Sequence, residues 1–202
     1  ITLPIDDFFK FDQKALVSAT PIELNDPRFK EQNFQTIEIQ PTFDYKKEIW
    51  LHHTNNTLQA FKNVLSKLNN EEAAPLPICV FINSTDIIYS LMKQLDLLEE
   101  SAVFCAPKSV DKLKKNRFCN VYEQWNKDKM KRYNFFTSRF FNAVDMELEE
   151  QPHVIMLTDV YFAEHTMIDP YTDAIQIVGR FRNGVSSITY ISNTKKGLPQ
   201  RS

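Results

Sequence analysis

Short apolar runs separated by helix-patterned stretches constrain this chain more than any other feature. Residues 78–82, 102–105, 134–137, 154–157 and 187–191 are each too short for a helix, and most carry β-branched or aromatic side chains. That is the pattern of strands covered on both faces. Residues 14–18 have the same look. Between the runs, Leu58, Phe61, Val64, Leu65 and Leu68 recur at helical spacing behind Asn56 and Thr57, which can cap a helix start. Ile87, Ile88, Leu91, Met92, Leu95 and Leu98 make a second stripe just after Asn83, Ser84, Thr85 and Asp86. A more polar stretch, 121–131, carries a weaker helical pattern. Strand and helix in alternation predict an α/β fold of three layers around a mainly parallel sheet.

A strand-like segment at 36–39 ends at Pro41, and the next helical unit starts well beyond it. The residues before this break are too few for an independent core. The reading is therefore 1–45 as the end of another α/β lobe plus a linker, and 46–202 as the main domain.

Composition removes several function classes. The chain has 202 residues, and at 43% hydrophobic it has enough apolar side chains for a core. No apolar run approaches the roughly 18 residues of a membrane span, so no membrane partner is expected. Cys79, Cys105 and Cys119 form no Cys-x-x-Cys pair, which fits a reducing, cytoplasmic setting. The histidines lack metal-ligand spacing, so no metal is assigned to this chain. Only Gly179, Gly184 and Gly197 are glycines. A Gly-rich phosphate loop cannot be built from them, and the chain alone cannot cradle a nucleoside triphosphate in that manner.

Four segments carry a resemblance. Residues 15–21 read Ala-Leu-Val-Ser-Ala-Thr-Pro, a strand running into Ser18 and Thr20. Residues 78–84 form a strand ending in Asn83-Ser84. Residues 136–146 run from Thr137 and Ser138 through Ala143 to Asp145. The strongest is 176–184, with Gln176, Gly179, Arg180, Arg182, Asn183 and Gly184. In this order they resemble motifs III, IV, V and VI of superfamily 2 helicases. The resemblance covers nearly the whole chain from Lys14 onward. It implies a RecA-like second lobe preceded by the motif III end of the first lobe.

What the resemblance implies is specific. The parent protein would be an ATP-dependent helicase or translocase, with ATP and Mg²⁺ bound mainly by the first lobe and this piece inactive alone. Arg180, Arg182 and Gln176 would be the catalytic, arginine-finger side, with Asp145 and Gly179 beside the nucleotide. Ser84, Thr137 and Ser138 would meet nucleic acid, and Ser18 and Thr20 would couple the two sites. Gln176 at the head of the motif, where the DEAD-box RNA helicases have His, favours DNA.

Two departures stand out: Ala143 replaces the family's Gly, and Asn183 replaces its second Arg, which here is at 182. On a continuing helix Arg182 points roughly 120° away from Gln176, at about 100° per residue. Asp169-Pro170 is the expected helix start and Gly184 its expected end. The departures keep a second reading open, a RecA-like module that binds nucleic acid or a protein without turnover.

Two further features are ambiguous. Asp6-Asp7 reads as a helix start rather than an acidic metal-binding motif. Lys108, Lys112, Lys114, Lys115, Arg117, Lys127, Lys129, Lys131 and Arg132, with Trp125 and Tyr133 among them, form either a nucleic-acid track or a solvated helix face.

Overall fold

The computed structural model of the chain describes residues 5–18, 24–40, 42, 46–70, 75–142 and 144–194. The chain divides into two units, Ile1–Lys46 and Lys47–Ser202.

The first unit is held by aromatic side chains. Helix α1 (Ile5–Phe8) begins with Asp6 and Asp7 in its first turn, and α2 (Arg28–Glu31) follows. Phe9 and Phe29 meet edge-on at 4.9 Å, and Phe29 and Phe34 at 5.1 Å. Arg28 lies 4.4 Å above the Phe9 ring and pairs with Asp26 and Asp6. Hydrogen bonds from Arg28 hold the Asp26 carboxyl at about 2. Residues 14–18 are not the expected strand, nor are 36–39; both lack regular secondary structure and are largely exposed, Val17 at 95%. No strand lies beside either among the described residues, and a ladder with no partner has nothing to satisfy its backbone groups.

The second unit is an α/β domain around one seven-stranded sheet. Its strands are β1 (Trp50–His53), β2 (Ile78–Phe81), β3 (Ser101–Phe104), β4 (Val121–Tyr122), β5 (Tyr133–Phe136), β6 (His153–Leu157) and β7 (Ser187–Ser192). They lie in the order β1-β7-β6-β2-β5-β3-β4, and every pairing is parallel. The expected α/β class is thus what forms. The helices are α3 (Thr57–Asn69), α4 (Thr85–Gln94), α5 (Pro107–Lys115) and α6 (Asp173–Gly179). Asn56 Oδ1 caps α3 by accepting from the Gln59 amide at 3.0 Å. No described helix is long and apolar enough to cross a membrane.

The period-two alternation of the strands makes two cores. Ile78, Val80, Val103, Phe135, Ile155 and Leu157 face the side packed by α3, α4 and α5. Cys79, Phe81, Phe104, Phe136, Val154 and Met156 face the side packed by α6 and the 140–148 segment. On this second side the register places Phe104, Phe136 and Phe81 abreast on adjacent strands. Their rings stack at 4.9 Å and 5.0 Å, tilted by only 10° and 18°.

The 121–131 stretch is not the helix its pattern suggests. It holds the two residues of β4 and a short 3₁₀ turn, Lys127–Lys129. Val121 enters the core from an edge strand, and the rest is too polar to bury a helical face.

Candidate functional site

Arg180 and Arg182 converge on one carboxylate. Arg182 Nη2 donates to Asp145 Oδ1 at 2.7 Å, and Arg180 Nη1 reaches the same oxygen at 3.4 Å. Gln176 steers Arg180 through its main-chain oxygen (3.1 Å) and its side-chain oxygen (3.4 Å), and Asn142 O adds a third acceptor. Arg182 Nη1 also caps the carbonyl of Gly179, the last residue of α6, where a cation suits the helix dipole. The Arg182 and Asp145 side chains are about half exposed, 48% and 50%. Such ion pairs contribute only about 0–1 kcal/mol.

The helix differs from expectation at both ends. It begins at Asp173, because Asp169 Oδ1 accepts from the Tyr171 and Thr172 amides and folds 169–172 into a turn. It ends at Gly179, five residues before Gly184; Arg180 still has helical backbone angles, and residues 181–184 make a turn in which Gly184 N donates to Phe181 O at 3.0 Å. Phe181 forms a parallel bridge to Met146, with Met146 N to Arg180 O at 2.8 Å and Arg182 N to Met146 O at 3.2 Å. Phe181 and Met146 are buried in the aromatic core, while the Arg180 and Arg182 side chains on either side of Phe181 both reach Asp145. Phe181 sits edge-on to Phe81 at 6.2 Å. The helix end at Gly179 and the turn that follows it let an arginine at 182 reach the same carboxylate as Arg180.

Asn183, in the place of the family's arginine, is committed elsewhere. Its Nδ2 donates to Leu148 O at 2.7 Å, and its carbonyl accepts from Gln151 at 2.8 Å. Gly184 has φ of +85°, which favours glycine; a Cβ there would lie 3.2 Å from Gln151 Nε2. At Gly179 a Cβ would meet nothing within 4 Å, so the fold itself does not need glycine there. Ala143 and Thr20 lie outside the described residues, and Ser18 is on the exposed segment that is not a strand.

A second group of polar residues lies at the carboxyl ends of the strands, where ligands of open parallel sheets are found. Asn83, just past β2, accepts from the Ser138 amide at 3.3 Å and donates to His165 O at 2.9 Å. It ties together the loops that follow β2, β5 and β6. Ser84 caps α4, its Oγ accepting from the Ile87 amide at 3.4 Å. Thr137 is buried at the end of β5, while Ser138 is exposed.

Reasoning from sequence missed Asp159. It accepts from Thr57 Oγ1 at 2.6 Å and Asn193 Nδ2 at 2.8 Å, and its amide donates to Thr166. Thr158 and Asp159 directly follow β6, and that position was the available signal. Burial raises the Asp159 pKa, but the bonds from Thr57, Asn193 and the Phe162 and Tyr161 amides outweigh it, so the net shift is downward. A folded pKa below the ordinary 3.8 stabilises the fold above that value and is lost as pH falls through the folded pKa. Asp159→Asn is expected to cost about 1.5–3 kcal/mol at neutral pH. Denaturant unfolding should show the gap from wild type closing below pH ~4; a gap independent of pH would contradict the assignment.

The basic stretch separates into two groups. Lys112 pairs with Asp86 and Lys127 with Glu149, both at 2.6 Å, while Lys131 and Arg132 donate to Glu99 O and Asn69. Tyr133 is buried in β5 and offers no exposed ring. Among the described residues no carboxylate pairs with Lys108, Lys114, Lys115, Arg117 or Lys129. No group of His, Cys, Asp and Glu suited to a metal occurs among the described residues.

No protein-family model matches the chain, and no curated protein matches it. Among solved structures, the chain is similar to the C-terminal domain of the DEAD-box protein Dbp5, with 12% identity, a TM-score of 0.43 and coverage of 75% of this chain and 77% of that one. A likeness of that size bears on neither the family nor the chemistry of this chain.

Proposed function

We propose that the chain supplies the arginine side of an ATP cleft in a superfamily 2 helicase or translocase, as a RecA-like second lobe. The observation that carries this reading is the pair of guanidiniums held out by Phe181 and sharing one half-exposed carboxylate. A planar guanidinium pair suits phosphate oxygens, and an arriving phosphate exchanges places with Asp145 without unfolding anything. ATP fits the donors present. Mg²⁺ and the phosphate loop would come from the first lobe, since the sequence has no loop rich in glycine and the described residues no acidic group suited to a metal. Bound ATP supplies the phosphoryl group, and this chain's part is to place positive charge where charge grows in the transition state.

Ser138, Thr137 and Ser84 at the carboxyl ends of β5 and β2 form the proposed nucleic-acid track. Exposed Ser138 is the direct contact, with Asn83 holding its loop. DNA is favoured through Gln176 alone. Asn183 favours a second reading, in which the lobe binds nucleic acid or a protein partner without turnover.

The chain by itself is expected to hydrolyse no ATP. Turnover should appear in the parent protein and rise with single-stranded nucleic acid. Hydrolysis by the purified chain that vanishes in Arg180→Ala would place a complete cleft within these residues and overturn the reading.

A further inference from the structure

We propose that the groove between α5 and the carboxyl end of β4 is a subsite for one nucleotide of single-stranded nucleic acid, with the base stacked on Trp125 and its phosphates held by Lys114 and Lys129. The subsite extends the nucleic-acid track described above and rests on that reading.

The groove has a volume of about 410 Å³ and is lined by Lys114, Tyr122, Gln124, Trp125, Asn126 and Lys129. That volume lies within the range of sites for small organic ligands. Its composition is what a nucleotide needs. It has two aromatic faces, the Gln124 amide and the Asn126 Nδ2 able to meet a base edge, and two cations, with Asn126 Oδ1 held by the Asp128 amide. Neither lysine pairs with a carboxylate among the described residues, although four other cations of the same stretch are occupied. Lys129 sits 5.9 Å from the Tyr122 ring centre, so charge and aromatic face are already side by side. Glu123 also lines the groove; the two lysines leave the local balance positive.

Trp125 supplies an independent sign. Its Nε1–H is covered and finds no acceptor among the described residues. A buried indole N–H ordinarily has a partner. The ring is therefore not locked by a hydrogen bond, and turning it outward to meet a base would hydrate the donor.

Topology places the groove beside the track. All strands are parallel, so residues 123–126 emerge on the same sheet edge as Thr137-Ser138 and Asn83-Ser84. From β5 the groove lies two strands across, by way of β3 to β4, or about 10 Å at the usual strand spacing. A strand of nucleic acid crossing the carboxyl ends of β2 and β5 reaches Trp125 by continuing in the same direction.

The test uses the whole chain carrying Trp50→Phe, which leaves Trp125 as the sole indole, with short oligothymidylate and oligouridylate as probes. Saturable quenching of Trp125 fluorescence is expected. Trp125→Leu should weaken binding about 5- to 100-fold by anisotropy of a labelled oligonucleotide, while Trp125→Phe, which keeps a stacking face, should retain most of it. The double Lys114→Ala, Lys129→Ala variant should flatten the dependence of log K on log salt by about 1.4, and Lys62→Ala on α3 should change neither.

Loss of affinity in Ser138→Asp but not in Trp125→Leu would remove the subsite and leave the track. The reverse would keep the subsite and remove the track. No binding to either oligonucleotide, or equal competition by polyglutamate, would overturn the subsite. Circular dichroism of each variant separates lost binding from lost fold.

Discussion

Arg182→Ala in the parent enzyme is expected to slow ATP hydrolysis by roughly 10³–10⁵-fold, the range for fingers that stabilise phosphoryl transfer. Nucleotide affinity should stay within a few-fold. Arg182 makes the cleaner test of the two arginines, because its side chain is about half exposed and its ties are to Asp145 and the end of α6. Arg180 is 18% exposed and bonded to Gln176 and Asn142, so its alanine variant should also lose some stability. Arg180→Lys should be nearly as slow as Arg180→Ala, since an ammonium cannot reproduce the planar fork. Single-turnover kinetics with measured nucleotide binding reads the outcome. Wild-type turnover in Arg182→Ala beside a dead Arg180→Ala would make Arg182 a surface charge. Full activity in both would discard the cleft and leave the binding module.

The largest effect on stability is expected at the middle of the phenylalanine stack. Phe136 is fully buried and touches Phe81, Phe104 and Phe140. Phe136→Ala should lose about 3–5 kcal/mol. For a domain of this size that lowers Tm by roughly 6–20 °C, at about 2–4 °C per kcal/mol. Thermal unfolding followed by circular dichroism measures it directly. A loss near that of a surface substitution, within about 0.5 kcal/mol, would mean the stack is not where the register places it.

The central strands were legible because they are covered on both faces, and burial writes itself into composition. The runs at 78–82, 102–105, 134–137, 154–157 and 187–191 match β2, β3, β5, β6 and β7 to within a residue or two. The outer strands were not legible. All four residues of β1 are exposed, and β4 has two residues; neither carries an apolar pattern. The 14–18 run shows the opposite failure, an apolar stretch that forms no strand and has none beside it among the described residues. At the candidate site, the types and order of Gln176, Arg180 and Arg182 were readable, but not the way they meet. That depended on where α6 stops, and local signals at Asp169 and Gly184 pointed several residues too far out at each end. Asp159 was missed because a single carboxylate after a strand carries no pattern; its partners Thr57 and Asn193 lie 102 and 34 residues away in the chain.

The Phe181–Met146 bridge makes the site sensitive to the length of the chain as well as to its chemistry. Phe181 is buried between two arginines, so a one-residue insertion or deletion there brings an arginine to the place of the ring. A guanidinium would then face Phe81 in place of the phenyl ring. The segment 183–186 carries no arginine, but Asn183 to Leu148, Gly184 to Phe181 and Ser186 to Pro152 hold the turn behind Arg182, so a length change there removes that support. Among natural variants of this chain, position 181 stays large and apolar whichever basic residues flank it, and gaps stay out of the turn that carries it.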